Sequence, residues 1–545
     1  MKNAFFLFLM IILPFAVNSQ VISEKTLVKF ENINEADPYS FTYDEKTGTY
    51  LYMVYDSTRN PGNMVMSNKG NTDWYDYIDY FSAVFDENGN YYTTANKKIN
   101  DTTYNYYFLR NGKQELQYEY ISSELAFNAG KIYFLCNDKG KAFITSYDFK
   151  GGSFSKGKEY NEIVLCEFGK IPYEGEPIGK IGFTKAGKPY YIAKSDGFAC
   201  LVIGESEQKH YADIEAYNFI SDSKGNFAYT AKDTGSFMNS GGAFVVYNDR
   251  HFKPFSYVYN LILDNKGEVY YIATDEFADA SPQRIMRGDK VLSKTYSGGV
   301  YNLGFTKDNK MYFIASEKKK KSEEYESFIV FDGNEGKRYQ SIFSVKEMSD
   351  GNLLYTGLIN ENKSVIVKGD EEINISKNNL VSAELLQDGR LAYITAQYGN
   401  YETKVKDKYF INIDGKNYGP YDGLQAISYM SPEYLLSDSK GNFAYIVNGN
   451  RNFEEYYSIV YWNGGKSDEF DYIQEINLVK GKPLYICAKS ISKDSYINTQ
   501  RLYYGNKPLT GEYSALNFYK FDEKTLTATF AVTKGNELVR VEVKF

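Results

Sequence analysis

The chain has 545 residues, with 62 Lys and Arg against 70 Asp and Glu and a formal net charge of −8. A mildly acidic surface of this kind lacks the clustered cations that neutralise phosphates, which excludes a protein that tracks nucleic acid. With 54 Tyr and 37 Phe but only 12 Pro and 2 Trp, the composition suits pleated, half-buried surfaces, and an all-β chain is expected.

Residues 1–19, MKNAFFLFLMIILPFAVNS, carry one early cation at Lys2, an apolar stretch from Ala4 to Val17, and Val17 and Ser19 at positions suited to cleavage. This predicts a cleavable signal peptide and a mature chain starting at Gln20, because the apolar part is short for a bilayer span. Gln20 is not a cysteine, so no lipid anchor is expected, and the product is expected to be periplasmic or secreted. The stretch VISEKTLVKFENI that follows contains one strand-like run, Thr26 to Phe30.

From there the chain repeats itself. The nonapeptide SDSKGNFAY occurs at Ser221–Tyr229 and again at Ser437–Tyr445, and it belongs to a wider set that includes FDENGNYYTTA, FTKAGKPYYIA, LDNKGEVYYIA, LQDGRLAYIT and LVKGKPLYIC. Their turn residues, Gly89, Gly187, Gly225, Gly267, Asn309, Gly351, Gly389, Gly441 and Gly481 among them, recur with a period of about 42 residues, interrupted by two insertions. A short polar side chain before Gly caps a backbone amide while Gly takes positive φ, the chemistry of a tight turn. Four residues later stands an aromatic, such as Tyr229, Tyr271 or Phe313; six residues later stands a small residue, such as Ala231, Ala273 or Ala315. Alternation along a strand puts both on one face, where large beside small lets stacked sheets interdigitate.

A second apolar run between turns, as in AFVVYNDRHFKPFSY and YFINIDGKNYGPYDG, completes four strands per repeat. About twelve such units can be counted, each the size of a four-stranded propeller blade. FTKAGKPYYIA, LQDGRLAYIT, SDSKGNFAY and FINIDGKNYGPYD resemble the repeats of TolB-type, WD-like β-propellers, although the Pro usual in that family's turn is missing. The resemblance spans most of residues 40–530 and implies a fold, not a ligand. Since rings of four to eight blades are the rule, two propellers are expected, at 20–290 and 291–545, with one large ring as the alternative. The last strand-like run, Glu537 to Phe545, lacks a partner after it, and pairing with Thr26 to Phe30 in one blade would remove an exposed edge.

Chemistry is sparse. The only histidines, His210 and His251, lie in runs that read as outer strands, without neighbours at ligand spacing. There is no Gly-x-Ser-x-Gly elbow and no glycine-rich phosphate loop opening a helix. Asp86, Asn88 and Asn90 supply part of a calcium loop but fit a plain hairpin turn better. Cys136 and Cys487 occupy the small-residue position, so they and Cys166 and Cys200 are expected to be free thiols. The run EKKKKSEE, Glu317 to Glu324, reads as a solvated hairpin tip. No catalytic, metal or cofactor-binding residue is assigned. The expected function is a non-enzymatic scaffold for a protein or glycan partner of the cell envelope; the alternative is a glycan hydrolase or lyase with carboxylates in a propeller funnel.

Overall fold

A computed structural model describes residues 21–29, 41–165, 181–215, 218–233, 242–276, 281–361, 363–375, 378–400, 405–427, 433–451, 455–490, 498–535 and 537–545. The expected signal peptide lies outside these residues. The described residues form strands joined by turns, arranged as twelve small antiparallel sheets, each the blade of a β-propeller. Except in the sheet that joins Val21–Lys29 to Glu537–Lys544, strands within a sheet follow one another in chain order, so those blades are meanders.

The blades fall into two compact units. One spans Glu35–Gly423 and the other joins Met1–Asn34 to Leu424–Phe545. The larger unit holds blades 42–67, 77–118, 120–156, 162–211, 213–251, 257–291, 300–335, 341–375 and 379–421. Lys290, the expected division between two propellers, pairs with Arg287 in the fourth strand of blade 257–291, and both flanking segments belong to this unit. The smaller unit holds blades 423–466 and 472–508 and a composite blade. In that last blade Val21–Lys29 pairs antiparallel with Glu537–Lys544, from Val21 against Lys544 to Lys29 against Glu537. Thr26 lies opposite Val539; Phe30 is outside the described residues.

The repeated turn joins the first strand of a blade to the second. In the first nonapeptide the Asp222 carboxylate accepts from the amides of Lys224 and Asn226 at 2.9 and 2.8 Å and from Asn226 Nδ2 at 2.7 Å. Asp438 repeats this with Lys440 and Asn442 at 2.9, 2.9 and 2.8 Å. A second Asn from the turn between the third and fourth strands completes the set: Asn248 Oδ1 accepts from the Phe227 amide at 2.9 Å while its Nδ2 donates to Asn226 Oδ1 at 2.8 Å. Asn248 has φ of 44°, a left-handed conformation that Asn tolerates. Neighbouring turns also clasp, because Lys224 Nζ donates to Asn265 O at 3.2 Å in the next blade's turn.

Between sheets the expected interdigitation is present. Tyr229 and Ala231 of blade 213–251 pack with Tyr190, Ile192 and Leu201 of blade 162–211 in one buried cluster. Tyr271 with Ala273 and Phe313 with Ala315 repeat the pair one and two blades further on. Burying each such aromatic contributes on the order of 1.5–3 kcal/mol. Cys136 and Cys487 fill the small position beside Phe134 and Tyr485; with Cys200 they are buried free thiols, and Cys166 lies outside the described residues.

In several blades the pairing of the first strand with the second is irregular. Blades 257–291, 300–335 and 341–375 each insert a single extra residue there, with Asn260, Asn302 and Ser344 at positive φ. Blade 77–118 inserts three, because Asp79 pairs with Thr94 while Val84 pairs with Tyr92.

Candidate functional site

The residues singled out by sequence serve the scaffold. His210 lies on a fourth strand with Nε2 3.8 Å from Glu207 Oε2, and His251 Nε2 is 2.7 Å from the Tyr211 hydroxyl. The Asp86 carboxylate is occupied by its own turn, with the amides of Asn88 and Asn90 at 2.9 Å and Asn90 Nδ2 at 2.7 Å. At the tip of the hairpin 317–324, Lys318 pairs with Glu323 at 2.5 Å, both side chains solvated. Among the described residues no group of His, Cys, Asp and Glu is placed to hold a metal ion, and no helix is long and apolar enough to cross a membrane.

A different place combines concavity, aromatic rings and acidic groups. Where blade 77–118 meets blade 120–156 there are two adjoining recesses of about 200 and 630 Å³, which share Tyr77 and Ser123. Tyr77 opens the first strand and Tyr106 lies within the third; Tyr120 starts the following blade. The Tyr106 and Tyr120 rings stand 5.1 Å apart at 58°, forming the corner of the smaller recess. Burial raises the pKa of both phenols, and Tyr77 is raised by burial and by the Asp79 carboxylate, so all three stay neutral at physiological pH.

The three-residue bulge supplies the acidic wall. Asp79 is buried, and its Oδ2 accepts from Ser82 Oγ at 2.5 Å. Ser82 Oγ also lies 2.6 Å from Ser123 O in the next blade, which ties the bulge across the groove. Thr93 Oγ1 donates to the Asp79 carbonyl and holds the bulge from below. Glu124 adds a second, exposed carboxylate, and no Lys or Arg lines either recess. At the inner end of the smaller recess the buried Asn96 Oδ1 accepts no hydrogen bond from the protein.

No family model matches the chain and no curated protein matches it. Among solved structures it is similar to a eukaryotic initiation factor, at 9% identity over 68% of this chain and 94% of the other, with a TM-score of 0.33. It is also similar to the β-propeller domain of the Trilobed protease from Pyrococcus furiosus, at 11% identity over 64% and 97% with a TM-score of 0.24. A third likeness is to TolB from Acinetobacter baumannii, at 12% identity over 54% and 77% with a TM-score of 0.22. Scores this low leave the fold to be read from the strands themselves.

Proposed function

We propose that the chain is an exported, non-enzymatic β-propeller scaffold that binds a partner of the cell envelope, akin to TolB-type propellers in the repeats quoted above. Residues 1–19, read as a cleavable signal peptide, support the reading of an exported mature chain, periplasmic or secreted. The observation that supports binding is the groove between blades 77–118 and 120–156. There the first strand departs from the one-residue bulge of blades 257–291, 300–335 and 341–375, and partly exposed tyrosines line a concave surface. Tyr offers apolar area and a hydroxyl at low entropic cost, which suits recognition of a protein surface.

The test is capture from an envelope extract by the mature chain and by a Tyr106→Ala variant. Retention of a defined protein by the first, and its loss with the second, supports the scaffold. Hydrolysis of a glycan by the purified chain, abolished in Asp79→Asn, would replace this reading with the carboxylate enzyme.

A further inference from the structure

Blades 77–118 and 213–251 carry the same local device built from different residues: an acid, Asp79 or Glu215, a donor three residues on, Ser82 or Asn218, and a residue after the turn, Asn96 or Lys232. In blade 213–251, Glu215 donates its amide to Thr230 O at 3.1 Å; in blade 77–118, Asp79 pairs with Thr94. Thr94 and Thr230 occupy the same place after their turns, in YYTTAN and FAYTAK. Both acids hold a donor three residues ahead: Ser82 on Asp79 at 2.5 Å, and Asn218 Nδ2 on Glu215 Oε2 at 2.9 Å. Both donors also reach a carbonyl of the next blade, Ser123 O at 2.6 Å and Val258 O at 3.3 Å.

The difference is the counter-charge. Lys232 Nζ stands 2.9 Å from Glu215 Oε1 and neutralises it. At the matching position, which faces Tyr77 rather than Asp213, blade 77–118 has Asn96. Asn96 brings no charge, Asp79 has no cationic partner among the described residues, and Asn96 Oδ1 is left without a donor. A buried carboxylate without a counter-charge and a buried acceptor without a donor are costly unless a ligand supplies them. Tyr106 and Tyr120 meet at 58° beside this gap, and an aromatic corner attracts a cation to its ring faces.

We infer that this groove receives a cationic side chain, Lys or Arg, from a protein partner, which takes the place that Lys232 fills internally in blade 213–251. The inference deepens the scaffold reading and rests on it for the identity of the partner as a protein. A cation would donate to Asn96 Oδ1, be balanced by Asp79 and Glu124, and lie against the tyrosine rings. Phosphates and nucleic acids are disfavoured there, because both charged groups of the groove are carboxylates. The net charge of −8 steers cationic partners toward the chain generally.

The experiment uses the mature chain and three fluorescein-labelled Gly-Ser peptides that differ at one central residue, Lys, Arg or norleucine, with fluorescence anisotropy as readout. The Lys and Arg peptides should bind at least about tenfold more tightly than norleucine, with affinity falling as salt rises. Glu124→Gln, an exposed change that spares the fold, should weaken them several-fold. Asn96→Lys should abolish binding while leaving the melting temperature unchanged or higher, since it supplies the internal cation of the other blade. Equal binding of the norleucine peptide, displacement by a neutral oligosaccharide alone, or undiminished binding in Asn96→Lys would each overturn the inference. If an envelope protein is captured equally by the mature chain and Asn96→Lys, the scaffold stands and this groove assignment falls. If the basic peptides bind but no envelope protein is captured, the reverse holds.

Discussion

Tyr513 donates its phenolic hydroxyl to Glu24 Oε1 at 2.8 Å, and Lys534 Nζ approaches the other carboxylate oxygen at 2.7 Å. The same contact recurs between blades of the larger unit. Tyr160 donates to Glu207 at 2.7 Å with Lys158 at 2.7 Å, and Tyr339 donates to Glu372 at 2.7 Å with Lys337 at 2.7 Å. Glu207 and Glu372 lie on the fourth strands of their blades. Glu24 therefore gives Val21–Lys29 the role of a fourth strand, at which the Tyr of the preceding blade docks. Removing residues 20–30 should strip blade 515–544 of this strand and expose its edge. The expected outcome is a clear fall in the calorimetric melting temperature, and Tyr513→Phe alone should cost about 1 kcal/mol in urea unfolding.

Acid should loosen all three contacts together. Glu24, Glu207 and Glu372 are held below the usual carboxylate range, first by their lysines and then by their tyrosines. A depressed folded pKa means stability that is fully present above the unfolded value, about 4.3 for Glu, and lost as pH falls through the folded one. Urea midpoints should thus decline as pH is lowered from about 5, and the triple Glu→Gln variant should show a shallower decline. These pairs are partly solvated, so the effect per site should stay within about 1 kcal/mol.

The first nonapeptide turn and the turn of the next blade offer a graded test of the clasp, and the second nonapeptide turn tests the carboxylate. At Gly225, φ is +90° and a Cβ would meet nothing within 4 Å, so Gly225→Ala should cost only the left-handed strain of about 1–2 kcal/mol. At Gly267, φ is +87° and a Cβ would come within 2.8 Å of Asn226 Nδ2 in the neighbouring turn. Gly267→Ala should therefore cost measurably more, because it also pries apart the Asp222–Asn226 network. Asp438→Ala removes three hydrogen bonds from one carboxylate and should cost about 2 kcal/mol or more by chemical denaturation.

The thiols should be silent until the chain unfolds. Burial pushes Cys136 and Cys487 up to about 12 and Cys200 up to about 11, so the nucleophilic thiolate is scarce at neutral pH. A thiol reagent such as DTNB should titrate none of these three in the native protein and all of them in guanidinium.

Tyr229 and Ala231 show why the fold was legible from sequence. Their two-residue spacing after a Gly turn is a local pattern that strand alternation converts directly into a shared buried face. Asp79 and Asn96 show why the groove was not. Asp79 and Glu215 both stand ten residues before their turn glycines, Gly89 and Gly225, but Tyr259, which pairs with Ile272 as Asp79 pairs with Thr94, stands eight before Gly267. An insertion of two residues in the first strand shifts the alignment at the position that matters. Comparing the bulged copies with each other would have exposed the exchange of Lys232 for Asn96, whereas comparing all copies hides it. Nor does spacing reveal that Tyr106 and Tyr120, on separate blades, form one corner.

The pairing of Val21 with Lys544 also fixes how the composite blade answers to mechanical load. The two strands run antiparallel with these residues opposite each other, so tension applied at Val21 and Lys544 pulls along the backbone hydrogen bonds and loads the nearest rung first. The rungs then open one after another, as a zipper does, until the last resistance at the Lys29–Glu537 contact of 2.7 Å. A pull applied between Val21 and Glu537 loads the same rungs in parallel and must break them together. The one seam therefore resists weakly in the first direction and strongly in the second.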